Sequence, residues 1–259
     1  MKHASGDAEM PVAESSKVRV DAGQRLIFPL DVSTVDAAKQ WIRDLDGIVS
    51  FFKIGLELYV ASGVSLIPYL IENKKKVFLD LKYYDVPETV KRAVKQVANL
   101  GVSFLTVHGN GKIIQAAVEG RGASDLKLLS VTVLTCLDDE DMKEFGFACT
   151  VPDLVLHRAR KALEAGCDGV ISSPQEAEKV RDLAAMIKGS NNKFLVVTPG
   201  VRPGNSSTDD HKRLARPLDA IRAGADYLVI GRPIREAANP QQAARDIVTE
   251  MQAAFDSLP

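Results

Sequence analysis

The sequence lacks any apolar run approaching the roughly 18 residues that a membrane-spanning helix needs. Its opening stretch, MKHASGDAEMPVAESSKVRV, has no apolar core of the kind a secretory signal carries. Cysteine is scarce. Cys136, Cys149 and Cys167 show neither Cys-x-x-Cys spacing nor a metal pattern with histidine. An odd, sparse set of thiols points to a reducing compartment, and no sequence feature supplies a base that would activate Cys136 as a nucleophile. Charge of one sign is not in excess: 33 Lys and Arg oppose 34 Asp and Glu. A net charge of −1 offers no general attraction to nucleic acid or to an anionic membrane. Low-complexity segments and internal linkers are also missing. A cytoplasmic protein with neither nucleic acid nor membrane as partner is expected. Residues 1–22 are polar and read as a flexible tail. Residues 23–259 form one domain, long enough to bury a core without disulfide staples.

What is present is an alternation. Short β-rich runs occur at 25–31 (RLIFPLD), 49–55 (VSFFKIG), 76–82 (KVFLDLK), 103–108 (SFLTVH), 126–135, 169–173, 194–200 (FLVVTPG) and 226–231 (DYLVIG). Helical patterns separate them. They lie at 37–45, at 56–73 with Pro68 as an internal break, and from Pro87 to Gly101. Others lie at 110–120, 151–165, 174–187, 209–223 and 239–256. A loop is expected over 138–149. The segment after Pro87 is the clearest helix. Val90, Ala93, Val94, Val97 and Ala98 recur at spacings of three and four, Pro87 suits the first turn, and Glu88 suits the dipole there. Strands alternating with helices imply a parallel sheet. Eight pairs in 259 residues fit a closed (β/α)8 TIM barrel of class α/β. An open doubly wound sheet is the alternative, but it usually stops at about five to seven strands.

In a barrel the active site lies where the strands end. Here ionisable residues collect at those ends: Asp31 after the first strand, Lys53 on the second, Asp80 and Lys82 on the third, Asp85 just beyond. Asp80 and Lys82 are two apart, so on a regular strand both point into the barrel. Five charges of mixed sign on three consecutive strands exceed what solvated loop starts require. A lysine between two aspartates can be aimed and kept protonated. After the seventh and eighth strands come TPGVRPG (198–204) and IGRPI (230–234). Barrel enzymes bind phosphate at these two places, through backbone N–H groups at glycines and a short helix. Arg202 and Arg232 are the natural forked partners. The residues alone thus predict a barrel that holds a phosphorylated small molecule by one end and acts on the other with a Lys/Asp cluster. Among the histidines, His108 ends the fourth strand and either faces the site or packs. No metal set stands out.

DLKYYDVPETV (80–90) resembles the D-L-K-x-x-D-I-P-N-T-V signature of the orotidine 5′-phosphate decarboxylase family. The resemblance runs through the whole chain after the tail. It includes L-D-V (30–32), F-K-I-G (52–55), L-T (134–135), P-G-x-R-P (199–203) and I-G-R-P-I (230–234), in family order and spacing. It implies that orotidine 5′-phosphate is decarboxylated to uridine 5′-phosphate in pyrimidine biosynthesis, without cofactor or metal. Lys82 would donate the proton to C6, and Lys53, Asp80 and Asp85 would complete an alternating charge network. Asp31 and Lys53 would hold ribose hydroxyls, and Thr135 and Pro199 would border the base. Arg202, Gly231 and Arg232 would hold the 5′-phosphate. A homodimer is implied, with Asp85 and Thr89 reaching across from the neighbouring subunit. The segment 197–211 would act as a lid. Three positions depart from the pattern: Tyr84 replaces a common His, Cys136 a common Ser, and His211 a Gln that usually contacts phosphate.

Two other readings compete. Metal-dependent sugar-phosphate enzymes share the D-x-K-x-x-D core but carry a Glu metal ligand where this chain has Lys53, and an ammonium there repels a divalent cation. A non-catalytic nucleotide sensor on the same barrel would be expected to lose a member of the network, and all four are present.

Overall fold

Residues 20–190, 192–203 and 215–258 are described by the computed structural model of the chain. Eight short strands are present among them. They are β1 (Leu26–Pro29), β2 (Phe51–Ile54), β3 (Lys76–Tyr83), β4 (Phe104–Val107), β5 (Lys127–Val131), β6 (Gly169–Ile171), β7 (Leu195–Thr198) and β8 (Tyr227–Val229). Each pairs in parallel with the next, and β8 returns to β1 through Leu26↔Leu228 and Ile27↔Val229, closing the barrel. The strands read as apolar runs because both faces are covered.

The helices are α1 (Val35–Asp44), α2 (Leu56–Ser62), α3 (Leu66–Glu72), α4 (Pro87–Ala98), α5 (Gly111–Arg121), α6 (Asp139–Glu144), α7 (Val151–Glu164), α8 (Pro174–Lys188), α9 (Pro217–Arg222), α10 (Arg232–Arg235) and α11 (Pro240–Asp256). Their starts follow local chemistry. Thr34 caps α1 through the Ala37 N–H, and Thr150 and Asp153 form a capping box on α7. On α4, Pro87 stands in the first turn while Val90, Val94 and Val97 are buried. Among the described residues no helix is long and apolar enough to cross a membrane.

The core has two parts. Alternate residues of the strands point inward, and Ile27, Phe51, Phe78, Phe104, Leu129 and Val197 fill the barrel. Phe104 stacks edge-on against Phe51 at 4.8 Å, Tyr227 at 5.1 Å and Phe78 at 5.9 Å between centroids. This aromatic plug closes the barrel beneath the site. The other strand face packs against the helices in a larger cluster.

Four details differ from the sequence reading. The helical stretch 56–73 breaks at Gly63, whose φ is +55°, and not at Pro68, which fits the first turn of α3. The expected loop 138–149 contains α6. Its single buried residue, Met142, gave no apolar period, and the reciprocal cap of Asp138 and Asp141 starts it. Of the helix expected over 209–223, residues 209–214 lie outside the described residues, and the described part starts at Pro217, because the residue before a proline favours extended backbone, as Arg216 does. Of the expected tail, residues 1–19 lie outside the described residues. Ala22 is fully buried in a 3-10 turn, and the Gln252 side chain accepts from its N–H at 3.1 Å and donates to the Val20 carbonyl at 2.9 Å.

Candidate active site

The charged residues at the ends of the first three strands form one line. Lys53, inward on β2, places Nζ 3.4 Å from Asp31 Oδ1 and 3.4 Å from Asp80 Oδ2. Lys82 Nζ stands 2.9 Å from the other Asp80 oxygen. The order is therefore Asp31, Lys53, Asp80, Lys82, with signs alternating throughout. Lys53 and Asp80 are the enclosed pair, with side chains 12% and 17% exposed, whereas Lys82 is 35% and Asp31 49% exposed.

Burial pushes the Asp80 carboxyl up. The charges of Lys53 and Lys82, with hydrogen bonds from Lys82 and Thr106, outweigh that and hold it below the usual carboxylate range. Asp80 is thus an anion at neutral pH, clasped by two ammonium groups. His108 is also lowered from its ordinary value: burial, then the positive charges of Arg158 and Lys82, lower it and keep the ring neutral.

Lys82 does not lie on regular strand. Its φ is +50°, in the left-handed region that a non-glycine residue enters at a cost of about 1–3 kcal/mol. The pairing of β3 with β4 shows why. Leu79 faces Leu105, and the next match is Tyr83 with Val107, so Asp80, Leu81 and Lys82 all stand opposite Thr106. This bulge folds the Lys82 ammonium back onto Asp80.

Above the aromatic plug is a cavity of about 360 Å³. The charged line makes one wall. Val131, Val133, Ile171 and Val229 make an apolar one, and Thr135, Cys136 and Pro199 stand at its edge. Thr135 is buried and Cys136 exposed. Arg202, beyond β7, is buried, and its N–H donates to the Ala215 carbonyl at 2.9 Å. Gly231 follows β8 and caps α10, which begins with Arg232. A Cβ on Gly231 would stand 2.6 Å from Pro29 Cγ, so only glycine lets this turn lie against β1.

Asp85 and Thr89 are not brought to the line within the chain. Both are exposed. The Asp85 carboxylate accepts from the Val86 N–H at 2.6 Å, and Thr89 lies in the first turn of α4. Their neighbours Tyr84 and Val86 expose 69% and 62% of their surface, apolar area left open beside the pocket. His211 lies outside the described residues, as does most of the expected lid.

Two contributors escaped the sequence reading. Thr106, inward on β4, accepts from the Lys82 N–H at 2.9 Å and donates to Asp80 Oδ1 at 3.0 Å. The alternation of Thr-Val-His on β4 was the available signal. Arg235 on α10 donates to the Asp31 main-chain carbonyl at 3.2 Å, tying the end of β1 to the last turn of the barrel. Its place in α10 gave no signal.

A larger hollow, about 940 Å³, opens at the other end of the barrel. Among the charges that line it, Lys127 pairs with Asp168 and Arg181 with Asp226. That end of a barrel serves stability.

A closed (β/α)8 barrel with alternating lysines and aspartates at its carboxyl-terminal strand ends defines a barrel enzyme that handles a small anionic substrate. Residues 24–247 match the profile of the orotidine 5′-phosphate decarboxylase / HUMPS family, and the chain belongs to that family. The orotidine 5′-phosphate decarboxylase of Nitrobacter winogradskyi is 52% identical over 230 residues, 89% of this chain and 93% of that protein. The Caulobacter vibrioides protein of the same name is 49% identical, with 89% and 98% covered. Among solved structures, orotidine 5′-phosphate decarboxylase from Lactobacillus acidophilus superposes with a TM-score of 0.75 at 34% identity, covering 88% of this chain and 99% of that one.

Proposed function

We propose that the chain converts orotidine 5′-phosphate to uridine 5′-phosphate and CO2, as a step of pyrimidine biosynthesis, with no cofactor and with Lys82 as proton donor. The observation that carries the reading is the Lys82 ammonium 2.9 Å from an ionised Asp80 inside a small, half-apolar cavity.

The reaction breaks the bond from C6 to the carboxylate. The electron pair stays on C6 in an orbital that the ring cannot delocalise, and Lys82 gives it a proton; solvent later restores the ammonium. Stabilisation therefore has to come from fixed positive charge, and Lys82 is aimed by its neighbour Asp80. Asp80 beside the substrate carboxylate also repels it. At 4 Å and an effective dielectric near 20, that repulsion is about 4 kcal/mol. Enzymes remove about 8–23 kcal/mol from a barrier. Preorganised cationic stabilisation and exclusion of water must supply more than repulsion does.

Asp31 and Lys53 hold the ribose hydroxyls, and Thr135 and Pro199 border the base. Arg202, Gly231 and Arg232, with His211, hold the 5′-phosphate. Binding energy from that remote group is used at the reacting end. Asp85 and Thr89 of one subunit complete the pocket of the other in a homodimer. Their exposure, beside exposed Tyr84 and Val86, supports this reading. A cytoplasmic location fits three free thiols, one of them exposed. Lys53, between two carboxylates, stands where the metal-dependent branch of related barrels carries a Glu metal ligand, and an ammonium there repels a divalent cation.

The test is the absorbance change on adding orotidine 5′-phosphate, with and without EDTA. Turnover indifferent to EDTA is expected. No turnover, or turnover abolished by the chelator, would overturn the proposal.

A further inference from the structure

We infer that Thr106 is a positioning residue for this reaction: its single hydroxyl fixes the left-handed bulge that aims Lys82. The inference rests on the decarboxylase reading above. Two of the described non-glycine residues have positive φ, Lys74 and Lys82. Lys74 follows α3 just before β3 starts, where a left-handed residue commonly ends a helix. Lys82 lies inside a strand, where nothing local favours that conformation.

Something outside the strand must therefore hold it. Three residues of β3 oppose one residue of β4, and the ladder bond that regular pairing would give the Lys82 N–H is lost. Thr106 replaces it. Its Oγ1 accepts from that N–H at 2.9 Å. The same oxygen carries one proton, and Asp80, as an anion, can only accept it, which it does at 3.0 Å. Asp80 Oδ1 also receives the Lys82 ammonium at 2.9 Å. The Lys82 main chain, the Asp80 carboxylate and the Lys82 side chain thus close a ring through Thr106. The hydroxyl is fully buried, so water cannot take its place in either bond. A residue of the same shape without a hydroxyl leaves the Lys82 N–H unpaired and frees both the bulge and the carboxylate. Misplacement of a reacting group by about 1 Å costs on the order of 100-fold in rate.

Thr106→Val preserves shape and removes both bonds; Thr106→Ser restores them. Thr106→Val should lower kcat on orotidine 5′-phosphate by about 100-fold while KM moves less than about threefold, because no substrate contact is lost. Thr106→Ser should return kcat to within about threefold of wild type. Should the valine variant fail to give folded protein, Thr106→Ala removes the hydroxyl without adding bulk and is held to the same outcome. A loss below about tenfold, a rise of KM as large as the fall in kcat, or no recovery with serine overturns the inference. An inactive wild-type chain overturns the decarboxylase reading and this inference together. An active wild type with an undiminished valine variant overturns this inference alone.

Discussion

Lys82 holds its ammonium 2.9 Å from Asp80 Oδ1, although the two residues are only two apart on one strand. Lys53 takes the opposite oxygen at 3.4 Å. Asp80 therefore sits between two cations, and only one of them, Lys82, stands on its own strand to be aimed by the bulge. Removing Lys82 removes both the proton donor and the charge that stabilises the carbanion. General acid catalysis is worth about 10²–10⁴-fold, and a preorganised electrostatic contact about 10²–10³-fold. Lys82→Ala should lower kcat by at least about 10⁴-fold in the absorbance assay. A rate near wild type would contradict its role.

Arg232 opens α10 beside Gly231, at the end of the pocket assigned to phosphate. Arg232→Ala forfeits hydrogen bonds to a charged group, worth about 1.5–3 kcal/mol, or about 10- to 150-fold in kcat/KM. Inhibition by inorganic phosphate should weaken in parallel. Unchanged kcat/KM would exclude the contact.

Asp85 and Thr89 are exposed and do not line their own chain's cavity. If they serve a neighbour, two dead variants should rescue each other. Lys82→Ala and Asp85→Ala, unfolded together and refolded as a mixture, produce mixed dimers in which one pocket has every native side chain. Random pairing makes half the dimers mixed with one good site each, so activity should return to about a quarter of wild type. Mixtures as inactive as their parents would place Asp85 elsewhere.

His108 gives a pH dependence of stability. Its pKa in the fold lies below the ordinary histidine value of about 6.5. The unfolded chain therefore takes up the proton first as pH falls. Stability from this group is complete above about pH 6.5 and is lost as pH drops toward the folded-state value. The decline of the urea midpoint between about pH 7.5 and about pH 5.5 should be shallower in His108→Gln. Equal slopes would show that His108 is not the group responsible.

Gly120 on α5 lies under α4, where an added Cβ would stand 2.3 Å from the Lys91 carbonyl oxygen. Alanine gains about 1 kcal/mol in helix propensity, but overpacking against main chain costs about 1–3 kcal/mol. Gly120→Ala should lower Tm and displace the start of α4, with Thr89 on it. A raised Tm would mean that the two helices separate freely.

The barrel was legible because parallel strands buried on both faces appear as apolar runs with turn residues between them. The charged line was legible because Asp31, Lys53 and Asp80 interrupt those runs at their ends. The conformation of Lys82 was not. Strict alternation brings Asp80 and Lys82 to the same side, which is where they are found, but the route is a left-handed residue, and lysine has no preference that announces one. Thr106 was overlooked because a threonine on a strand is ordinary β chemistry until its partner is known. Helix α6 carries a single buried apolar residue, so only its cap signalled it.

Closure between β1 and β8 has a consequence for how the chain is made. The first strand leaves the ribosome with one edge bare, and its mate emerges roughly 200 residues later, about 10–40 s at ordinary synthesis rates. The Gln252 clamp on Val20 and Ala22 arrives later still. A nascent chain therefore stays open to foreign strands until nearly its last helix is translated, and a messenger truncated before codon 252 should yield protein that chaperones hold rather than release.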